Sequence, residues 1–583
     1  MARSGNNQQE QPIVASAQLA ARRLLIVAGG LSFFVNLLML TGPLYMLQIY
    51  DRVISSRSYE TLAVLTLLTF ALFAGMALLD FARGALLARA GETFEDKLQS
   101  VVFDVAMDAG RAGAQSAEQP IKDLRQIRQF VSSPALTAVF DAPWAPFFLL
   151  LVFLMHWLLG VVALAGLLVL LALALVNERV SRKVNADANK IAAGADQSAY
   201  SAIRNAAAAD AMGMREQLKS RWREQSAAAS GNAILATDRI GGLTAATKAT
   251  RLFLQSAILG TGAFLAIQGQ VTPGVMIAAS IIAGRALAPV EIVTSHWRQF
   301  AVTGVSYKRL QEFIRIAKEQ APRTALPAPA GALSVDKLYC RPGGAQKPVL
   351  KNITFELAAG EALGVIGPSA AGKSTLVRAI VGVEPPMSGE VRLDDANIDH
   401  WDKTALGAHI GFLPQEVELF AGSVAANIAR LRTDATDEAI ISAAKAAGAH
   451  EMLLNLPDGY DTQIGESGRH LSAGQRQRLG LARALFGEPS FIVLDEPNAN
   501  LDSDGEAALI KAMREAKARG ATIIIVAHRP TAVAFVDKLL LLVDGEVRAI
   551  GPRDEILQKI APRQVTAFDA EARARQKQAL SNE

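Results

Sequence analysis

Eight consecutive residues, Gly367-Pro368-Ser369-Ala370-Ala371-Gly372-Lys373-Ser374, fit the pattern G-x-x-x-x-G-K-[ST], a spacing suited to cradling a chain of phosphates. Glycines let successive backbone N–H groups turn inward around phosphate oxygens. A helix starting at the end of the loop adds the positive end of its dipole. In such a loop Lys373 reaches the β- and γ-phosphates and the Ser374 hydroxyl holds Mg²⁺, with Thr375 next in the first helical turn. Farther along, Phe491-Ile492-Val493-Leu494-Asp495-Glu496 is an apolar run ending in two acids. Asp495 can hold Mg²⁺ through water, and Glu496 can take a proton from an attacking water. The two acids alone are a weak signal; downstream of the loop they read as a site for ATP and Mg²⁺. A second candidate anion site is Leu471-Ser472-Ala473-Gly474-Gln475, where Ser472 and the Gly474 N–H stand at the start of a helix rich in Arg and Leu. Nothing in a single subunit needs two phosphate-binding helix ends.

These groups need elements to hold them. Residues 362–366 read as a short buried strand and 375–380 as the first turns of a helix, which is the context the loop motif requires. Residues 333–366 alternate as strands do. The lone cysteine, Cys340, rules out an intrachain disulfide framework and reads as a small buried filler. The net charge of +4 gives no reason to expect nucleic-acid binding.

The chain is 583 residues long and 51% hydrophobic, which is high for a wholly soluble protein and low for one made only of membrane spans. The apolar residues are concentrated in the first half. Residues 24–50 carry no Asp, Glu, Lys or Arg, and a membrane helix needs about 20 such residues. Pro43 should kink that span without stopping it. Residues 51–57 form a short outer loop, and 61–79 a second span that runs on into a charged helix. The uncharged run 142–177 is too long for one span, about 54 Å as a helix, so it must be two, broken near His156. His156 itself is a proton site or a turn residue. Two more spans lie in 252–284, with a turn over 268–274. The charged stretches 91–128 and 178–251 project into the cytoplasm, where their Lys and Arg are expected. Six spans put both termini on the cytoplasmic side with the ATP. No cleavable signal peptide is expected, and residues 1–21 leave no room for an N-terminal enzyme domain. Arg285 and Glu291, with Asp80 and Arg83, line a substrate path or anchor helix ends.

At this point the chain resembles ABC transporters over essentially its whole length: a membrane α-helical six-span exporter domain followed by an α/β P-loop ATPase domain. The expected division is a 1–21 tail, a 22–317 membrane domain with long cytoplasmic extensions, a 318–331 Pro- and Ala-rich linker, a 332–567 nucleotide-binding domain and a 568–583 polar tail. The resemblance implies a dimer in which each ATP lies between one subunit's phosphate loop and the other's Ser472 segment. It implies that Gln415 senses Mg²⁺, that Leu501-Asp502 communicates across the dimer, and that His528 contacts the γ-phosphate. It also places coupling helices near 119–125 and 212–216, and identifies 462–468 as the exporter-specific segment that meets them. The sequence departs from the family at Ala473, where glycine is commoner. It also lacks a clear aromatic for adenine: Tyr339 is nearest, but Arg341-Pro342 fall closer to the expected place. Glu496 and His528 are both present, which argues against a non-hydrolysing site.

Within the family, residues 40–53, Phe140-Asp141-Ala142-Pro143-Trp144-Ala145-Pro146 and 496–502 resemble type I secretion ATPases, especially the protease- and haemophore-exporting branch. That resemblance implies a homodimer in the inner membrane of a Gram-negative bacterium. Its partners would be a periplasmic membrane fusion protein and a TolC-like outer-membrane channel, and its cargo unfolded proteins with C-terminal signals. An exporter of lipids or small molecules is the alternative on the same fold.

Overall fold

The structure is a computed structural model. It describes residues 12–111, 117–318, 326–343, 345, 347–465, 468, 470–527 and 533–559. The chain divides into two compact units, 1–107 with 117–317 and 318–583 with 108–116.

The first unit is helical. Among the described residues, six helices are long and apolar enough to cross a membrane: Gln18–Ser56, Tyr59–Arg111, Pro134–Met155, Trp157–Arg179, Gly241–Ile267 and Pro273–Ser295. The helix Tyr59–Arg111 has 53 residues. At 1.5 Å per residue it is about 80 Å long, well over twice a ~30 Å hydrocarbon core, so much of it extends beyond the bilayer.

Several local expectations are met and others are changed. His156 is extended (φ −166°, ψ 134°) between the helices Ala145–Met155 and Trp157–Arg204, and its Nδ1 accepts the Leu158 N–H at the start of the second. It serves as a cap at the break. The turn near 268–274 lies between Ile267 and Pro273, as expected. Pro43 interrupts the helix without stopping the span, which continues from Gln18 to Ser56. The helix Pro12–Leu38 stops, and a new one, Thr41–Gln48, starts with Pro43 in its first turn. The proline ring clashes with the carbonyl four residues back, so the chain breaks at Met39 and Leu40. The outer loop of 51–57 is also mostly helical, ending only at Arg57 with φ 52°. Asp51 there accepts hydrogen bonds from Thr272 Oγ1 (2.6 Å) and Gly274 N (2.9 Å), capping the start of the last span.

The third span begins at Pro134, upstream of the expected 142, because the charge on Asp141 is compensated inside the bundle. Asp141 Oδ1 accepts from Arg83 Nη1 at 2.9 Å and from Asn36 Nδ2 at 2.7 Å. Arg83 is 5% exposed and also holds Ser32 and Asp80. Glu291 pairs with Arg251 of the neighbouring helix. Arg83 and Glu291 therefore tie helices together, while Arg285 is exposed.

The second unit holds the strands β1 (Leu333–Cys340), β2 (Leu350–Leu357), β3 (Ala362–Ile366), β4 (Ser388–Leu393), β5 (Ala396–Asn397), β6 (Ile410–Leu413), β7 (Gly422–Ser423), β8 (Gln463–Ile464), β9 (Phe491–Asp495), β10 (Thr522–Val526), β11 (Lys538–Val543) and β12 (Glu546–Pro552). The main sheet has the order β12-β11-β3-β10-β9-β6 and is parallel except for β12. Its central strands β9 and β10 are buried along their whole length, which is why they read as unbroken apolar runs. A four-stranded antiparallel sheet, β2-β1-β4-β5, packs its apolar face into the same core. Cys340 is fully buried in it, and burial pushes its thiol up to about 11, as suits a filler residue.

Candidate functional site

In a parallel α/β sheet, ligands gather beyond the carboxyl ends of the strands. β3 and β9 both end there, on either side of β10. β3 feeds the phosphate loop, and β9 ends at Asp495. The loop's backbone is what its glycines permit. Gly367 has φ 155°, and a Cβ on it would lie 2.1 Å from the Leu542 carbonyl. Gly372 has φ 98° and sits at the start of the helix Lys373–Ile380. Ala370 also takes a left-handed conformation, φ 63°, at a steric cost that an L-residue does not usually bear.

The loop borders a cavity of about 360 Å³, lined also by Val349, Lys373, Ser374, Thr375, Gln415 and Glu496. Lys373 is 5% exposed, and its Nζ donates to the carbonyls of Gly367 (3.0 Å) and Pro368 (2.9 Å). Burial pulls its pKa below the ordinary lysine value, and the negative charges of Glu496 and Asp495 partly offset this. Asp495 is 2% exposed. Burial pushes its carboxyl above the usual range, while a hydrogen bond from Ser374 works against that. Its Oδ1 is buried with no hydrogen-bond partner among the described residues. A buried carboxylate oxygen left open beside a serine hydroxyl is a fit donor set for Mg²⁺, a hard cation that takes oxygen ligands. Ser374 and Asp495 would hold the ion, with Gln415 at the cavity wall. Bound there, it would neutralise charge on the β- and γ-phosphates.

Glu496 follows β9 with φ 50°, an uncommon conformation for a long side chain, and its N–H donates across to the Val526 carbonyl at 3.2 Å. This sharp turn is what carries the carboxylate into the cavity lining one residue after the buried Asp495.

The second candidate anion site lies elsewhere. The helix Ala473–Leu485 starts at Ser472 in a capping box: Ser472 Oγ accepts the Gln475 N–H at 3.2 Å, and Gln475 Oε1 accepts the Ser472 N–H at 2.8 Å. Ser472, Gly474 and Gln475 do not line the phosphate cavity. Ala473 borders a separate cleft of about 390 Å³, and Gln415 lines both. Asp502 is also outside the cavity. It caps the helix Ser503–Ala518 through Gly505 N and pairs with Arg478, and these contacts hold its carboxyl below the usual range. His528 lies outside the described residues, as do Glu466 and Ser467 of the exporter-specific segment.

Sequence reasoning missed Val349. It precedes β2 and reaches the cavity past Gly372, where a Cβ would meet Val349 Cγ1 at 3.2 Å. Tyr339 is absent from the lining and pairs instead with Ser388 across β1 and β4. Only the folded contact between two distant segments reveals Val349; no local pattern marks it.

Comparisons with known proteins agree with this geometry. The model of the ABC transporter transmembrane region matches residues 25–287, and the ABC transporter model matches 350–499. The chain is 42% identical to the type I secretion system ATP-binding protein PrsD of Rhizobium meliloti, over 95% of this chain and 96% of that protein. It is 31% identical to the cyclolysin secretion/processing ATP-binding protein CyaB of Bordetella pertussis, over 90% of this chain and 75% of that one. It is 28% identical to the leukotoxin translocation ATP-binding protein LktB of Mannheimia haemolytica, over 93% and 77%. A solved bacterial Atm1-family ABC exporter with ATP bound superposes with a TM-score of 0.81 over 93% of this chain and 97% of that one, at 22% identity, which shows a shared fold. A six-span membrane domain, an ATPase domain and near-full-length similarity to PrsD converge on one conclusion: the chain belongs to the ABC transporters of the type I secretion kind, multi-pass membrane proteins that couple ATP hydrolysis to transport.

Proposed function

We propose that two copies of this chain form the inner-membrane motor of a type I secretion system, closing on two ATP molecules at their shared interface. The observation that carries this reading is the separation of the Ser472 turn from the cavity holding Lys373 and Glu496. A helix start with a hydroxyl and free N–H groups, placed away from its own chain's phosphates, suits the nucleotide of a second copy. In the closed pair, Lys373 and the loop N–H groups hold the β- and γ-phosphates of ATP. A water attacks the γ-phosphorus, its proton passes to Glu496, the bond to the bridging oxygen breaks, and ADP leaves with that oxygen. ATP binding favours the closed pair, and product release favours the open one.

The export reading rests on the similarity to PrsD, CyaB and LktB, which are named for secretion or translocation. On it, the chain works with a periplasmic membrane fusion protein and a TolC-like outer-membrane channel, with both termini in the cytoplasm. Its cargo is unfolded protein with a C-terminal signal. The test compares the culture medium of two strains, one with the intact chain and one with Glu496→Gln. Loss of one or a few proteins from the medium, with accumulation inside the cells, is expected. An unchanged set of proteins, with lipids or small molecules altered, would replace this reading by export of those compounds.

A further inference from the structure

The loop that carries Glu496 is fastened to the helix that carries the Ser472 turn. Gln477, on that helix, is 2% exposed, and its Nε2 donates to the Pro497 carbonyl at 2.9 Å. One residue on, Arg478 pairs with Asp502 at the far end of the loop. Near the helix start, a Cβ on Gly474 would lie 3.0 Å from the Asn500 carbonyl, so helix and loop are in close backbone contact there too. The loop is itself a run of turns, with Ala499 N–H donating to Glu496 O at 3.2 Å and Leu501 N–H to Asn498 O at 3.4 Å. Pro497 and Asn498 are buried. Packed segments held at several points move as units. The buried amide–carbonyl bond is the contact least able to be replaced by water.

We propose that Gln477 is a positioning residue that carries the state of one ATP site to the other. This rests on the two-copy reading above. In that arrangement Glu496 serves the ATP held by its own phosphate loop, whereas Ser472 of the same chain closes on the ATP of the second copy. The bond from Gln477 to Pro497, with the Arg478–Asp502 pair beside it, joins the two within one chain. A change at Glu496 when its γ-phosphate is cleaved is thereby transmitted to the serine lent to the opposite site.

The test uses full-length dimers purified through two different tags, one on each chain. Glu496→Gln in one chain leaves its own ATP uncleaved. Through Gln477 it keeps that chain's Ser472 seated on the other site, so turnover falls well below half the wild-type rate. Adding Gln477→Leu to the Glu496→Gln chain should release that Ser472 and raise turnover several-fold. The same substitution placed in the other chain should give no recovery. Arg478→Gln, tested in both placements, should show the same asymmetry and serves if the leucine variant misfolds. A purely structural role would lower turnover in both placements. Equal effects from the two placements overturn the proposal, as does no recovery in the first, or half the wild-type rate in the dimer with one blocked site. Ser472→Arg separates this from failure of the two-copy reading: closure of the pair on ATP that survives Ser472→Arg removes that reading itself. Closure blocked by Ser472→Arg, together with symmetric Gln477 effects, removes only the relay.

Discussion

Arg83 offers a quantitative test of how the membrane domain holds charge. It is 5% exposed and bridges two carboxylates in very different settings. Toward Asp141 the Nη1–Oδ1 distance is 2.9 Å, with the Asp141 side chain only 18% exposed; the Asp80 side chain on the other flank is 56% exposed. Removing one partner of a buried pair costs ~3–5 kcal/mol, because the other charge is left without compensation. An exposed pair is worth ~1 kcal/mol or less. Arg83→Leu should therefore destabilise the protein by ~3–5 kcal/mol, leaving Asp141 with only Asn36 as a donor among the contacts described. Asp80→Asn should cost under ~1 kcal/mol. Replacing both buried partners, Arg83→Met with Asp141→Leu, should cost less than Arg83→Leu alone, since no orphan charge remains. Unfolding by SDS in mixed micelles, followed by circular dichroism, ranks the three variants. The reasoning is refuted if Asp80→Asn is as costly as Arg83→Leu, or if the double variant is worse than the single.

Other outcomes follow from the ATPase domain. Lys373→Ala should abolish nucleotide binding while the domain stays folded; tight ATP binding by the variant, measured with a fluorescent analogue, would remove Lys373 from the site. Gly367→Ala should also lose nucleotide, because its Cβ would meet the Leu542 carbonyl at 2.1 Å. Wild-type affinity in that variant would mean the loop tolerates a different path. Asp537 accepts from Ala362 N at 2.9 Å and Lys517 Nζ at 2.6 Å. Burial alone would raise its pKa, but these bonds outweigh it and hold the carboxyl below its ordinary 3.8. A depressed carboxyl stabilises the fold above its unfolded-state pKa, and the benefit disappears as pH falls through the folded-state value. Asp537→Asn should thus unfold at a lower temperature than wild type near neutral pH, with the gap closing below about pH 3.8. A gap that persists unchanged into strong acid would show that the carboxylate's charge is irrelevant.

The sequence by itself determined the parts of this protein whose chemistry is local. A phosphate loop needs particular residues at consecutive positions, so the candidate site at Gly367 to Ser374 was legible without a fold, and so were its candidate acids Asp495 and Glu496 at the end of an apolar strand. The spans were legible for a related reason: lipid demands an apolar run of fixed length. The errors in the membrane half come from treating charge as a local property. Asp141 ends an uncharged run in sequence, yet it lies inside a span because Arg83 and Asn36 arrive from other helices to meet it. The same holds for the ATPase domain. Val349 lines the cavity beside Lys373, and Asp502 and Arg478 meet, only because distant segments pack together. The tertiary structure alone also placed Ser472 outside the cavity lined by Lys373 and Glu496 of its own chain while fastening its helix, through Gln477, to the loop of Glu496. A hydrogen bond between residues 20 apart depends on where the backbone brings a carbonyl, and no residue type encodes that by itself.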